Sequence, residues 1–294
     1  MGTLAPALRK LRRRNKLDRQ PIWVYVFLIV VGTTFALPLY LMVIQSLKPI
    51  EELFLWPPRF YVMRPTLENY VDLVIAAERT WVPFSRYLFN SFFVTTANVV
   101  LYVLICCMAA YPLAKMRRMP LAGPIFSACL AALMFAPQVT VIPRYLVIAG
   151  MGMVDTYWAL IVPALGSSFG VFFMKQFLDQ YPDALIEAAK IDGASEWGTF
   201  TKVVIPLTRP AWATLIIWQS MQVWRDTWSP MVFAHSEAMK TLPLAVRTMF
   251  SGELVVARQG AQAAATFLES APLIIIFVIM QSRIMKTMAY AGIK

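Results

Sequence analysis

No charged side chain interrupts the chain between Gln20 and Leu47. Four further runs are uncharged or nearly so: Tyr87 to Ala114, Leu121 to Pro143, Thr156 to Met174 with a short extension, and Ala211 to Ala234. A sixth, Ala261 to Ser282, carries Glu269 alone. A helix needs about 20 apolar residues to cross a hydrocarbon core about 30 Å thick, so each run predicts one crossing. The whole chain has 294 residues, of which 59% are hydrophobic and 15% charged. That is too little polar surface for a soluble globule of this size. An all-α integral membrane protein with six transmembrane helices is expected.

The charges between the runs predict the orientation. Arg9, Lys10, Arg12, Arg13, Arg14, Lys16 and Arg19 make residues 1–21 a basic cytoplasmic tail, and 22–294 form a six-helix transmembrane domain. A signal peptide is the rival reading of the first run. Its apolar core from Ile22 to Ile44 is too long for that, and Ser46-Leu47-Lys48 offers no small-residue cleavage site. Acids and bases balance in the loop 46–86, which suits the outer side. Lys115, Arg117 and Arg118 mark an inner loop, Arg144 with Asp155 an outer one, and Arg283, Lys286 and Lys294 place the C-terminus inside. Both termini are therefore expected in the cytoplasm, with the chain crossing the membrane repeatedly. The net charge of +11 follows this pattern, so the expected partner is a lipid bilayer and not nucleic acid.

Cys106, Cys107 and Cys129 lie inside apolar runs and read as small core residues. His235 has no second histidine or cysteine nearby, so no metal site is expected.

One stretch cannot stay in lipid. Residues 179–210 form a loop that carries Asp183, Glu187, Lys190, Asp192, Glu196 and Lys202. Pro182 and Asp183 suit a helix start, and Ala184, Leu185, Ala188 and Ala189 make a stripe of mostly small side chains. Gly193 can take the left-handed conformation that ends a helix, and Ser195 can cap a second one beginning at Glu196. Pro206 and Pro210 are expected to limit that second helix.

Within this helix–turn–helix, EAA followed by DGA, then IPL and a proline, resembles the EAA loop of ATP-binding-cassette (ABC) importer permeases. Glu187, Ala188, Ala189, Asp192, Gly193 and Pro206 match it position by position. The resemblance implies a type I ABC importer permease fold, with the first helix of the loop as the coupling helix that docks in a cleft of the ATPase subunit. The bland alternative is an ordinary amphipathic hairpin. In the loop 46–86, SLKPIEELFLWPPRFYVMRPTLENY contains SxK, a proline pair and PTxxNY, and resembles the first external loop of maltose-type sugar permeases; the tail QSRIMKTMAYAGIK also resembles theirs.

These resemblances imply one permease subunit of an oligosaccharide importer. It would work with a second, related permease, two ATPase subunits and an extracytoplasmic binding protein. The chain has no GxxxxGK[ST] phosphate loop, so ATP and Mg are expected on the partner ATPases, no cofactor on this chain, and no enzymatic activity of its own. The rival from another class is an ion-coupled secondary transporter, which needs a midplane set of ionisable or broken-helix ligands.

Polar residues inside the runs point to a pathway. Gln219, Gln222, Trp224, Arg225 and Asp226, with Trp218 and Trp228, cluster in the fifth run. Charges there cost about 2.5–3.5 kcal/mol on insertion scales, so they face a wet cavity or a partner. Aromatic faces beside amides and charges suit a sugar ring; a tie to the second permease is the other reading. Maltose-type permeases often have WN, an acid and F here, so Arg225 departs from the pattern and raises an acidic cargo. Glu269 ahead of Pro272 is a second departure, and pairing with Arg225 or Arg258 is expected. Asn90, Ser91, Asn98 and Gln138 either line a pathway or bond helix to helix.

Overall fold

The computed structural model describes residues 21–78, 81–116, 119–251 and 258–291. The side chains of Pro137 and of the helical residues from Ser282 onward lie outside the description. All regular structure among the described residues is helical. In order these are α1 (Ile22–Leu47), the short α2 (Ile50–Leu53), α3 (Glu68–Glu78), α4 (Phe84–Lys115), α5 (Ala122–Leu133) and α6 (Val141–Gly150). Then come α7 (Tyr157–Leu165), α8 (Ser168–Asp179), α9 (Ala184–Ile191), α10 (Glu196–Thr199), a π turn (Phe200–Val204) and α11 (Ile205–Trp224). The series ends with α12 (Trp228–Phe233), α13 (Leu242–Met249) and α14 (Gln259–Ala291).

Among the described residues three helices are long and apolar enough to cross a membrane: Ile22–Leu47, Phe84–Lys115 and Gln259–Gln281. Two bent pairs raise the number to five if each is one span. The third expected crossing is not one helix. Pro137 biases the residue before it towards extended backbone, Ala136 is extended at ψ 133°, and α5 therefore stops at Leu133. The chain then turns through 104° into the segment Gln138–Gly150. The fourth crossing is divided at Gly166 into α7 and α8, with a bend of 43°. Ser167 caps the second piece by accepting from the Gly170 N–H at 3.4 Å. In the fifth, α11 is long enough but carries Arg209, Gln219 and Gln222, and its Thr208, Gln219 and Ser220 are buried against protein. Gln219 is spent on α4 and α7 through Asn98 and Ala164 O, so polarity that lowers the apparent apolarity of α11 is compatible with burial.

The expectation that Pro206 and Pro210 end the second helix of the loop is corrected. Backbone helix runs without a break from Glu196 to Trp224. A proline ring clashes with the carbonyl four residues before it; for Pro206 that residue is Lys202, in the middle of the π turn. There Ile205 N–H bonds to Phe200 O, five residues back, so the wider turn makes room for the ring and the helix continues.

Helix α4 is the axis of the bundle. Its buried positions Tyr87, Asn90, Ser91, Val94, Asn98, Tyr102, Cys106, Ala110 and Tyr111 recur at helical spacing. Tyr102, Cys106, Cys107 and Ala110 pack with Met174 and Leu178 of α8, Ile186 of α9, Phe200 and Val204 of the π turn, and Ala211 and Leu215 of α11. At Gly170 the α8 backbone comes so close to Tyr102 and Cys106 that a Cβ would meet Tyr102 Cζ at 2.7 Å, and Cys106 Sγ and the Tyr102 hydroxyl closer still. Small residues allow such approaches where lipid supplies no hydrophobic drive between helices. Toward the other end Leu73, Tyr87, Trp224, Leu242, Ala245, Ala261 and Ala265 form a second cluster joining α3, α4, α11, α13 and α14. Helix α1 is buried only at Ile44 and Ser46. Most of its length shows apolar side chains outward.

Candidate functional site: a helical hairpin and the face of α11

The hairpin forms as its residues dictate. Helix α9 starts after Asp183 and ends at Ile191; Gly193 follows at φ +79°, the left-handed conformation that favours glycine. Ser195 Oγ accepts from the Gly198 N–H at 3.1 Å and caps α10. Asp183 does not cap α9 with its side chain. Its carboxylate instead takes the Lys115 ammonium at 2.8 Å, and the same Nζ donates to Tyr181 O at 2.6 Å.

Only Ile186 of α9 is buried. Glu187, Ala188, Asp192 and Gly193 lie on the outer surface and Ala189 is half-buried. Two apolar side chains that the sequence reading passed over stand beside them: Ile191 is 85% exposed and Trp197 64%. Exposed apolar side chains mark an interaction site where they are grouped; a β-branched residue next to DGA was the available signal. A cleft of about 640 Å³ runs alongside, lined by Lys115, Met119, Asp183, Glu187, Lys190 and Glu196. Glu196 accepts from Lys190 Nζ at 2.6 Å and from the Tyr111 hydroxyl at 2.8 Å. Those two bonds, Lys190 first, hold its carboxyl below the usual range.

The polar residues of the fifth run separate into two groups. Gln219 and Trp224 are buried and already paired: Gln219 Nε2 donates to Asn98 Oδ1 at 2.8 Å and to Ala164 O at 3.1 Å, and Trp224 Nε1 donates to Glu269 O at 2.7 Å. A buried donor without a partner costs about 1–3 kcal/mol, and these donors are satisfied by α4, α7 and α14, so in this structure Gln219 and Trp224 tie helices together. Trp218, Met221, Gln222 and Arg225 instead share an exposed face of α11. Asp226 Oδ1 accepts from the Trp228 and Ser229 N–H groups at 2.9 and 3.0 Å and starts α12. It is therefore committed to backbone. Among the described residues no ion pair joins Glu269 to Arg225 or Arg258.

Asn90, Ser91 and Asn98 are likewise structural. Asn90 Nδ2 donates to Ala238 O and Lys240 O while its Oδ1 accepts from Tyr157; Ser91 Oγ accepts from Leu242 N–H; Asn98 Nδ2 reaches Leu160 O and Ile161 O. Gln138 is exposed. In the loop 46–86, Asn69 Nδ2 donates to Ser46 O and Lys48 O, and the Tyr70 hydroxyl to Ser46 Oγ. The SxK and PTxxNY segments thus clasp one another at the end of α1. Among the described residues no group of three metal-ligating side chains occurs.

A bundle of long apolar helices with a polar hairpin projecting from one end defines a multi-pass membrane transport component. The chain belongs to the family of binding-protein-dependent transport system inner membrane components, whose profile matches residues 23–290. Among relatives, the probable ABC transporter permease protein YurM of Bacillus subtilis is 28% identical, covering 97% of this chain and 92% of that one. The arabinooligosaccharides transport system permease protein AraQ of Halalkalibacterium halodurans is 27% identical over 91% and 96%. The fold is that of a bacterial ABC transporter involved in import of the acidic polysaccharide alginate, with TM-score 0.76 and 19% identity, covering 89% of this chain and 96% of that one.

Proposed function

We propose that this chain is one of two permease subunits of a type I ABC importer that moves an oligosaccharide from a binding protein into the cytoplasm. The observation that carries the reading is the hairpin. It presents Glu187 and Asp192 with the exposed apolar Leu185, Ile191 and Trp197, and Ile186 is the one buried side chain of α9. A surface of this kind suits insertion into a cleft of a separate ATPase subunit, since this chain has no phosphate loop of its own. In this reading residues 179–210 and both termini are cytoplasmic, the loop 46–86 is external, and ATP with Mg sits on the two ATPases. Relatives named for arabinooligosaccharides support the sugar class. Purification of this chain from its native membrane, with and without Glu187→Lys, tests the docking. An ATPase subunit should accompany the unaltered chain, and reversing the charge should deplete it. Transport proceeding with no ATPase present would establish the ion-coupled alternative.

A second reading concerns the cargo. Arg225 is exposed beside Trp218 and Gln222, and one oxygen of the adjacent Asp226 carboxylate accepts from two backbone N–H groups. A guanidinium offers two parallel charge-assisted bonds to a carboxylate. This favours an acidic saccharide such as a uronide. Arg225→Gln should then reduce transport-coupled ATP hydrolysis with acidic oligosaccharides and spare that with neutral ones; equal effects on both would exclude it.

A further inference from the structure

We propose that Tyr111 and Glu196 form the joint through which movement of the hairpin reaches the centre of the bundle, with Lys115 and Lys190 steadying it. The inference rests on the importer reading, since it presumes that an ATPase displaces α9.

Tyr111 and Lys115 are four residues apart at the end of α4 and so lie on one face of it. Each grips a different arm of the hairpin. Lys115, its side chain 5% exposed, holds the entry to α9 through Tyr181 O and Asp183. Tyr111 holds the second arm twice: its hydroxyl bonds Glu196, and its ring lies against Phe200 at 5.9 Å between centroids. Phe200 in turn packs on Trp197 at 5.5 Å. Glu196 is the point where three elements meet, because one oxygen takes Tyr111 of α4 and the other takes Lys190 of α9.

The placement excludes a mainly stabilising role for the carboxylate. The Lys190 and Glu196 side chains are 42% and 54% exposed, and an ion pair in water adds little to stability. Its geometry does something else: pushing on α9 displaces Glu196, and Glu196 pulls on the helix that carries the Asn98–Gln219 link and the Gly170 contact. Loss of the Tyr111 hydroxyl leaves the aromatic packing in place and removes the directional bond alone.

The complete importer, with its second permease and ATPases, provides the test, with ATP plus vanadate as the probe. One spin label at Ala184, at the start of α9 and exposed, and another on α4 at Val100, 53% exposed, report the two ends of the path. In the unaltered protein both labels should respond. In Tyr111→Phe and in Glu196→Gln the Ala184 response should persist while the Val100 response falls by roughly fivefold, the low end of ordinary coupling between sites, and Lys190→Arg should retain it where Lys190→Gln loses part. The double variant Tyr111→Phe/Glu196→Gln should be no worse than either alone, as members of one joint require. Lys175→Gln, which breaks an ion pair of α8 with Asp179, should change nothing. Undiminished Val100 response in both single variants, or losses that multiply in the double, would overturn the joint. If Tyr111→Phe fails to assemble, the exposed Glu196→Gln decides by itself. An unaltered complex with no ATPase, or with an Ala184 label deaf to ATP and vanadate, overturns the importer reading and the joint with it.

Discussion

Replacing Gly170 by alanine adds one methyl group at the tightest approach between α4 and α8. The new carbon would stand 2.7 Å from Tyr102 Cζ, and closer to Cys106 Sγ and the Tyr102 hydroxyl, where carbon contacts are ordinarily about 3.5–4.0 Å. Neither neighbour has room to withdraw. Tyr102 and Cys106 are fully buried, and the Tyr102 hydroxyl is tied to Ser167 Oγ at 3.3 Å. Ser167 is itself engaged as the cap of α8 by the Gly170 N–H. The helices must therefore separate by about 1 Å, and overpacking of this kind costs about 1–3 kcal/mol. At about 2–4 °C per kcal/mol for chains approaching this size, thermal unfolding in detergent should fall by about 2–12 °C. Gly32→Ala and Gly123→Ala are the controls, because nothing lies within 4 Å of a Cβ at either. Alanine gains about 0.5–1 kcal/mol over glycine inside a helix, so both should hold or raise the transition. Cys106→Ala combined with Gly170→Ala should recover part of the loss. A Gly170→Ala protein that melts with the wild type would refute the close-approach argument.

Three other outcomes follow from the hairpin. Gly193→Asp should strain a backbone at φ +79° by about 1–2 kcal/mol without any steric contact, since no atom lies within 4 Å of its Cβ position; transport should fall while membrane insertion and subunit assembly, read by co-purification, stay normal. The Glu196 carboxyl is held below its usual value, so the bonds it accepts are fully present above about 4.5 and are lost as pH falls through the lower folded value. Protease cleavage at Ala194 should accordingly be flat near neutral pH and rise only in strong acid, with Lys190→Gln moving the rise to higher pH. In a chain lacking the three native cysteines, a thiol at Glu51 should label from outside and one at Asp192 only after permeabilisation; the reverse would invert the proposed topology.

The parts legible in the sequence are those set by local chemistry. Charge-free runs announce α1, α4 and α14 because lipid admits little else, and Gly193 with Ser195 announces the hairpin because turn and cap are decided within a few residues. The parts that were not legible depend on distant partners. Gln219 reads as a pathway residue until Asn98 is seen opposite, and Asn90 bonds carbonyls of residues 238 and 240, far along the chain. Tyr111 and Lys115 look like an ordinary helix end until Glu196 and Asp183 arrive beside them. Pro206 was misleading for another reason: a helix-breaker is harmless where one wider turn absorbs its ring, and periodicity does not reveal a π turn. Pro137, by contrast, did carry the signal for the break after α5.

Helix from Glu196 to Trp224 makes one mechanical part out of two chemical ones. Counted along the axis as a straight rod, Gln222 lies about 39 Å from Glu196, so a tilt of about 5° at the hairpin sweeps it through about 3 Å, the width of a water molecule. The single soft turn, Phe200–Val204, lies next to the pivot. In the proposed importer, flexure there would swing the whole rod, and the displacement reaching Arg225 would be set by the compliance of five residues at the opposite end of the helix.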